Sequence, residues 1–171
     1  MVTIRDAVDD DIPAITAITN ALLATTTYEW TEEPHTEASR GAWLAAHRVA
    51  DHPVLVAVDD DDDGSVVGWA AYGDFRDTAK WPGYRPVVEH TIHVDAGQWG
   101  SDVARLLMAA LVDRARVAGK RAMIGGIDGE NERSIRFHRR LGFVEVARMP
   151  GIGEKFGRPL DLVLMQLDIN E

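Results

Sequence analysis

Between Asn131 and Phe143 the sequence NERSIRFHRRLGF specifies a helix, its end and the strand that follows. On a helix of about 3.6 residues per turn, Asn131, Ser134 and His138 fall on one face. Phe137 and Leu141 lie on a neighbouring face directed at a core. Gly142 supplies the left-handed residue that ends such a helix. Phe143 adds the hydrophobic contact after it and opens a strand running to Met149. An amide, a hydroxyl and an imidazole in a stripe beside a buried one predict a ligand-facing edge.

The rest of the chain alternates strand and helix signals. Val2 to Ala7 reads as a strand, and Asp9 to Asp11 with Pro13 start a helix on which Ile15, Ile18, Leu22 and Leu23 recur at helical spacing. A second amphipathic helix spans Thr36 to Ala50 and closes at His52-Pro53, before an apolar strand from Val54 to Val58. Asp59 to Asp63 and Gly64 favour a reversal, with Ser65 to Tyr72 as the hairpin partner. These aspartates read as a solvated turn, since a calcium loop alternates its ligands and ends on a distant Glu. Asp74 to Pro86 is a loop, Val87 to Asp95 a strand, and Val103, Leu106, Leu107, Ala110 and Leu111 mark a helix ending at Gly119. Ala122 to Ile127 is a short buried strand. After the Asn131 helix and its strand come a glycine-rich loop, Pro150 to Gly157, and a last strand, Leu160 to Leu167. The order β-α-α-β-β-β-α-β-α-β-β predicts an α/β or α+β sheet of mixed direction.

Composition excludes several classes. A chain of 171 residues, 46% hydrophobic, suits one domain with one core. No run approaches the roughly 20 apolar residues that span a bilayer, and MVTIRDAVDDD lacks a basic start and an apolar leader, so a cytoplasmic protein is expected. The absence of cysteine removes disulfides, thiolate metal sites and a cysteine nucleophile. A formal charge of −10 argues against a nucleic-acid partner, which needs a basic surface.

Side chains alternate along a strand, so Glu89, Thr91 and His93 share one face and His90, Ile92 and Val94 the other. A partly buried carboxylate in such a strand rises in pKa and can take a proton from an ammonium. Glu89 also reads as a structural partner of Arg76 or Arg85. His90 and His93, facing opposite ways, cannot share an ion, and no metal site is expected. A guanidinium pairs bidentately with a carboxylate. Phe75, Arg76 and Arg85, with Lys155 to Arg158, therefore read either as the binding end for an amino-acid-like ligand or as cations balancing an acidic surface. Tyr28, Trp30, Trp81 and Tyr84 read as packing or pocket walls.

The pattern N-x-x-S-x-x-x-H-x-x-x-G-F resembles the cofactor-proximal helix of the GNAT superfamily of N-acetyltransferases. With His for the usual Tyr it is similar to the phosphinothricin and methionine sulfoximine acetyltransferase branch. Three further segments agree in order along the chain: Val88-Glu89-His90-Thr91-Ile92-His93-Val94 for the family's VEHTVYV, the pair Phe75-Arg76, and Lys155-Phe156-Gly157-Arg158 with Asp161 for K-F-G-R-x-x-D. The resemblance implies one GNAT-like domain over residues 1–171, an α/β (α+β) fold whose mixed sheet of about seven strands is flanked by four helices. It also implies acetyl transfer from acetyl-CoA to a small amino-acid-like amine by direct attack in a ternary complex, and a homodimer.

The same resemblance assigns roles by residue. Glu89 becomes the base, and His138 lies near the thioester as a proton donor or hydrogen-bonding group. Asn131 and Ser134 face the pantetheine arm together with Ile92, His93 and Val94, His93 standing where the family has Tyr. Phe75, Arg76, Arg85 and Lys155 form the acceptor end. The family's diphosphate loop, Q/R-x-x-G-x-G/A, opens a helix whose amides and dipole hold phosphate. Here it reads Trp99-Gly100-Ser101-Asp102-Val103-Ala104, followed by Arg105. Trp99 replaces the basic or amide residue and Asp102 the central glycine. As an N-cap, Asp102 would satisfy the amides that phosphate needs. Like charges there cost on the order of a few kcal/mol, a loss of about a hundredfold in affinity. Two readings follow: an acetyltransferase with a weakened loop, or a degenerate ligand-binding relative that no longer transfers acetyl.

Overall fold

Seven strands hydrogen-bond in the order β1-β2-β3-β4-β5-β7-β6 in the computed structural model, which describes residues 1–170. They are β1 (Val2–Asp6), β2 (Val54–Asp59), β3 (Ser65–Asp74), β4 (Val87–Val94), β5 (Ala122–Asp128), β6 (Val144–Lys155) and β7 (Arg158–Asp168). Four helices complete the fold: α1 (Ile12–Thr25), α2 (Glu37–Val49), α3 (Val103–Val117) and α4 (Glu132–Arg140). Element order and mixed sheet agree with expectation, since every pairing is antiparallel except β4 with β5.

Local chemistry sets the helix ends. The Thr36 hydroxyl accepts from Ser39 N–H at 3.1 Å and the Ser39 hydroxyl from Thr36 N–H at 3.0 Å, a reciprocal cap on α2. The Asn131 side-chain oxygen accepts from Ser134 N–H at 3.0 Å at the start of α4. Gly119 and Gly142, at φ of 69° and 90°, take the left-handed conformation after α3 and α4.

Each sheet face has its own core. Ile15, Ile18 and Leu22 of α1 pack with Leu44 of α2 on Val56, Trp69 and Ala71. Leu107, Met108 and Leu111 of α3, with Ile135 of α4, pack on Ala70, Val88, Met123 and Met165. Each such fully buried side chain contributes roughly 1.5–3 kcal/mol.

The glycine-rich stretch from Pro150 departs from expectation. It is strand up to Lys155, with a register break between Met149 and Gly153, and the turn shrinks to Phe156 and Gly157 at φ of 52° and 68°. The long neighbour β7 holds it straight through the pairs Gly153↔Leu160, Glu154↔Pro159 and Lys155↔Arg158. Gly153 is glycine because Trp30 lies flat on it: a Cβ there would stand 2.0 Å from Trp30 Cε3.

The pairing of β4 with β5 is short. It runs through Val87↔Ala122, Val88↔Met123 and Glu89↔Ile124 and then stops, although β4 continues to Val94 and β5 to Asp128. The other edge of β4 stays paired with β3 along its length. Beyond Glu89 the two parallel strands part, opening a cleft through the middle of the sheet.

Candidate active site

Glu89 stands where the strands separate. Alternation along β4 places it with Thr91 and His93 on the α1/α2 face, as expected, and beside Gly126 of β5, where a Cβ would lie 3.3 Å from Glu89 Oε1. Glu89 is exposed to the cleft, but the protein packed around its carboxyl still pushes the pKa up, and the Arg76 guanidinium pulls it partly back. Glu89 and Thr91 line a cavity of about 240 Å³ with Glu29, His35, Arg40, Trp43, His47, Trp69 and Gly73.

Glu29, His35 and Arg40 are cavity residues that sequence reasoning missed. Glu29 Oε1 lies 3.2 Å from His93 Nε2 and Oε2 lies 3.0 Å from His35 Nε2, with Arg40 Nη2 at 3.6 Å. Burial alone would raise the Glu29 pKa. The bonds from His93 and His35 and the charge of Arg40 outweigh it and bring the group down to about 2. Arg40 is 6% exposed, with its guanidinium carbon 5.1 Å and 5.4 Å from the ring centroids of Trp43 and Trp69. His93 stacks on Trp69 at 4.9 Å.

The loop from Thr26 to Thr36 delivers Glu29, and Lys155 holds that loop. The expectation that Lys155 belongs to the acceptor end is corrected here. Its side chain is buried, and Nζ donates to the carbonyls of Leu23, Thr26 and Glu29 at 2.7, 2.8 and 2.8 Å. Leu23 lies in the last turn of α1, where carbonyls lack helical partners, Thr26 caps it and Glu29 follows in the loop, so one ammonium joins the helix end to the segment after it. Phe156 N–H donates to Glu32, and the Thr27 hydroxyl to Asp128, which adds two more ties. Phe75 packs against Tyr84, and Arg76 lies over Phe75 at 5.1 Å. Arg85 is exposed, and its carbonyl accepts from Lys120.

On the opposite face, α4 carries the stripe the sequence singled out. Asn131 and Ser134 are half-buried at its start, but His138 is 2% exposed and faces His90 rather than an open edge. The two rings stack at 5.1 Å with their Nε2 atoms 3.1 Å apart, and Phe143 closes on both edge-on. Burial pushes both pKa values down. His138 Nδ1 sits 2.8 Å from the Ser134 carbonyl, which can only accept, so Nδ1 carries the proton. His138 Nε2 must then accept from the His90 Nε2–H. His90 Nδ1 is left bare, buried and without a partner among the described residues. Gly125 makes room for the pair, since a Cβ there would stand 2.8 Å from His90 Nε2.

The loop before α3 resolves the question raised by Asp102. Asp102 makes no side-chain cap bond. Its carboxylate, 73% exposed, turns out to Arg105 Nε at 3.0 Å, which holds its pKa low. It leaves the helix amides alone. Leu106 N–H is the first to bond back, to the Asp102 carbonyl, and Val103 N–H reaches only the Ser101 hydroxyl at 3.3 Å. Ala104 and Arg105 amides precede Leu106 with no protein acceptor among the described residues. Gly100 turns the chain at φ of 94°. Ile92 is half-buried and Val94 buried, and the Val94 carbonyl accepts from Trp99 Nε1–H at 3.2 Å. Among the described residues no cluster of His, Asp and Glu is disposed to hold a metal ion, and no helix is long and apolar enough to cross a membrane.

A mixed sheet parted between two parallel strands, with a carboxylate on one face and unbonded amides at the start of α3, is an α/β arrangement suited to an extended ligand laid along the cleft. The chain belongs to the acetyltransferase (GNAT) family, whose model matches residues 15–143. It is 43% identical to an L-methionine sulfoximine/L-methionine sulfone acetyltransferase of Pseudomonas paraeruginosa, over 98% of this chain and 95% of that one. A phosphinothricin N-acetyltransferase of Streptomyces coelicolor is 32% identical over 94% and 92%. Among solved structures, yncA of Salmonella typhimurium, determined with its cofactor acetyl-CoA, superposes with a TM-score of 0.93 at 40% identity, covering 100% of this chain and 95% of that chain.

Proposed function

We propose that this chain, acting as one N-acetyltransferase domain over residues 1–171, moves an acetyl group from acetyl-CoA to the amine of a small amino-acid-like acceptor. The acceptor is of the methionine sulfoximine or phosphinothricin type, as the names of the relatives suggest. The observation that carries the reading is Glu89, a carboxyl of raised pKa at the point where β4 leaves β5.

The residues suit the co-substrate. Backbone groups of Ile92 and Val94, on the unpaired edge of β4, accept from and donate to an extended pantetheine arm, with His93 between them turned back to β3. Asn131, whose oxygen is spent as a cap, offers its NH₂, and Ser134 its hydroxyl. The residues from Trp99 to Arg105 hold the diphosphate through the Ala104 and Arg105 amides, with the dipole of α3 behind them. Acetyl-CoA supplies a thioester activated toward amines. Glu89, directly or through water, takes the proton of the acceptor's ammonium, which frees a lone pair for the carbonyl carbon. The new C–N bond forms, the C–S bond breaks, and the extra proton on the acetylated nitrogen passes through water to the departing thiolate. His138, neutral and enclosed, serves here as a positioning residue for the start of α4. Phe75, Arg76 and Arg85 take the acceptor's carboxylate. The degenerate reading loses its support, because Asp102 does not occupy the amides.

An acetylation screen across amine classes tests this, with Glu89→Gln as control. We expect amino-acid analogues to be acetylated and turnover in Glu89→Gln to fall by about 10²–10³. In the parent enzyme the acidic limb of kcat/KM should lie above the ordinary carboxylate range, because Glu89 must be ionised to act. Turnover intact in Glu89→Gln would refute the base assignment. We further propose a homodimer: the edge strand β6 exposes Val144, Val146 and Ile152, apolar area that a second copy would cover. Sedimentation at twice 18.8 kDa tests it.

A further inference from the structure

The diphosphate loop of this chain lacks a free cation. Trp99 stands at the basic or amide position of the family pattern, and Arg105 is engaged by Asp102 at 3.0 Å. Backbone amides alone would have to hold a doubly charged group on a protein of net charge −10. Arg133 changes that balance. Its guanidinium carbon lies 4.9 Å from the Trp99 ring centroid, across the cleft from the α4 side to the loop before α3.

Trp99 is a firm platform. Its Nε1–H bonds the Val94 carbonyl at 3.2 Å, and Tyr28 packs on it at 6.3 Å between centroids, although its outer face is open. Arg133 is exposed and has no ion-pair partner among the described residues, while Glu132 beside it reaches Arg136 at 3.9 Å. Its position gives α4 nothing, since a cation in the first turn opposes the helix dipole by about 0.3–1 kcal/mol. A stacked guanidinium has fixed orientation and keeps its N–H edge free, the geometry that phosphate oxygens accept.

We infer that Arg133, laid on Trp99, is the diphosphate-binding cation of this enzyme, in place of the loop residue that Trp99 has displaced. Trp99 acts through Arg133 by holding it in place. The ligand class is the diphosphate of a nucleotide-bearing thioester or thiol, so the inference rests on the acetyl-CoA reading above.

Calorimetric titration with coenzyme A and with pantetheine, which lacks the nucleotide and diphosphate, tests it on the whole protein. Arg133→Ala is expected to weaken coenzyme A by about tenfold. It should leave pantetheine unchanged and flatten the salt dependence of coenzyme A binding. Trp99→Leu should weaken coenzyme A in the same direction, and Arg133→Lys should recover only part of the loss, because an ammonium cannot stack as a plane. If the parent binds coenzyme A and Arg133→Ala binds it equally well, or if pantetheine weakens as much, the inference is overturned and the acetyl-CoA reading survives. If the parent binds neither ligand, the reading beneath it falls as well.

Discussion

Replacing Glu29 with Gln removes the charge on which His35, His93 and Arg40 converge and keeps the shape. Glu29 titrates at about 2 instead of the ordinary 4.5. At about 1.4 kcal/mol for each tenfold change in proton affinity, that lowering is worth roughly 3 kcal/mol of stability once the group is ionised in both states. The folded value lies below the unfolded one, so this stability is complete above about pH 4.5 and is lost as the pH falls towards about 2. Urea denaturation of the parent and Glu29→Gln should therefore show a gap of roughly 3 kcal/mol at pH 7, narrowing to about 1.5 kcal/mol at pH 3. The difference between the two proteins cancels the other carboxylates. A gap under about 1 kcal/mol at pH 7, or one of constant width down to pH 3, would refute the claim that His93 and His35 hold this carboxylate ionised.

Lys155→Met keeps most of the volume and removes three bonds from a charged donor, leaving the carbonyls at the end of α1 to water. Unfolding free energy should drop by about 3 kcal/mol and Tm by roughly 6–12 °C; a melt within a degree of the parent would mean the ammonium is not the clamp. Gly125→Ala places a methyl 2.8 Å from His90 Nε2 and should cost about 1–3 kcal/mol. Imidazole NMR resonances should show the His90–His138 contact broken, and unchanged resonances would contradict the packing described.

Where the chain's ends and turns obey local chemistry, the sequence was readable. Thr36, Asn131, Gly119 and Gly142 each mark a helix boundary by what their own atoms can do, and the alternation of β4 placed Glu89 and His90 on opposite faces. Pro150 to Lys155 misled because its glycines and proline report local preference, while a long partner strand and the Trp30 ring decide its conformation. Lys155 looked like a surface cation because nothing in its neighbourhood announces three carbonyls contributed from residues 23 to 29. Glu29, His35 and Arg40 were invisible for the same reason: they meet His93 only after the α1–α2 loop has been tied down from β5, β6 and the turn after β6. His138 was found but misdirected, since helical spacing gives a face and not the neighbour that covers it.

The parting of β4 from β5 also divides the molecule mechanically. Among the described residues, the half-sheet β1-β2-β3-β4 meets the half-sheet β5-β7-β6 through the three register pairs of β4 and β5, extended by bonds from Arg121 and Ala122 N–H to the Pro86 carbonyl, so the seam of weakest backbone cohesion coincides with the cleft proposed to take the thioester. Amides on the inner margin of residues 90 to 94 will exchange with solvent hydrogen early in the free protein and slow once an extended thioester arm bridges the seam, making the co-substrate a temporary strand that joins the two halves.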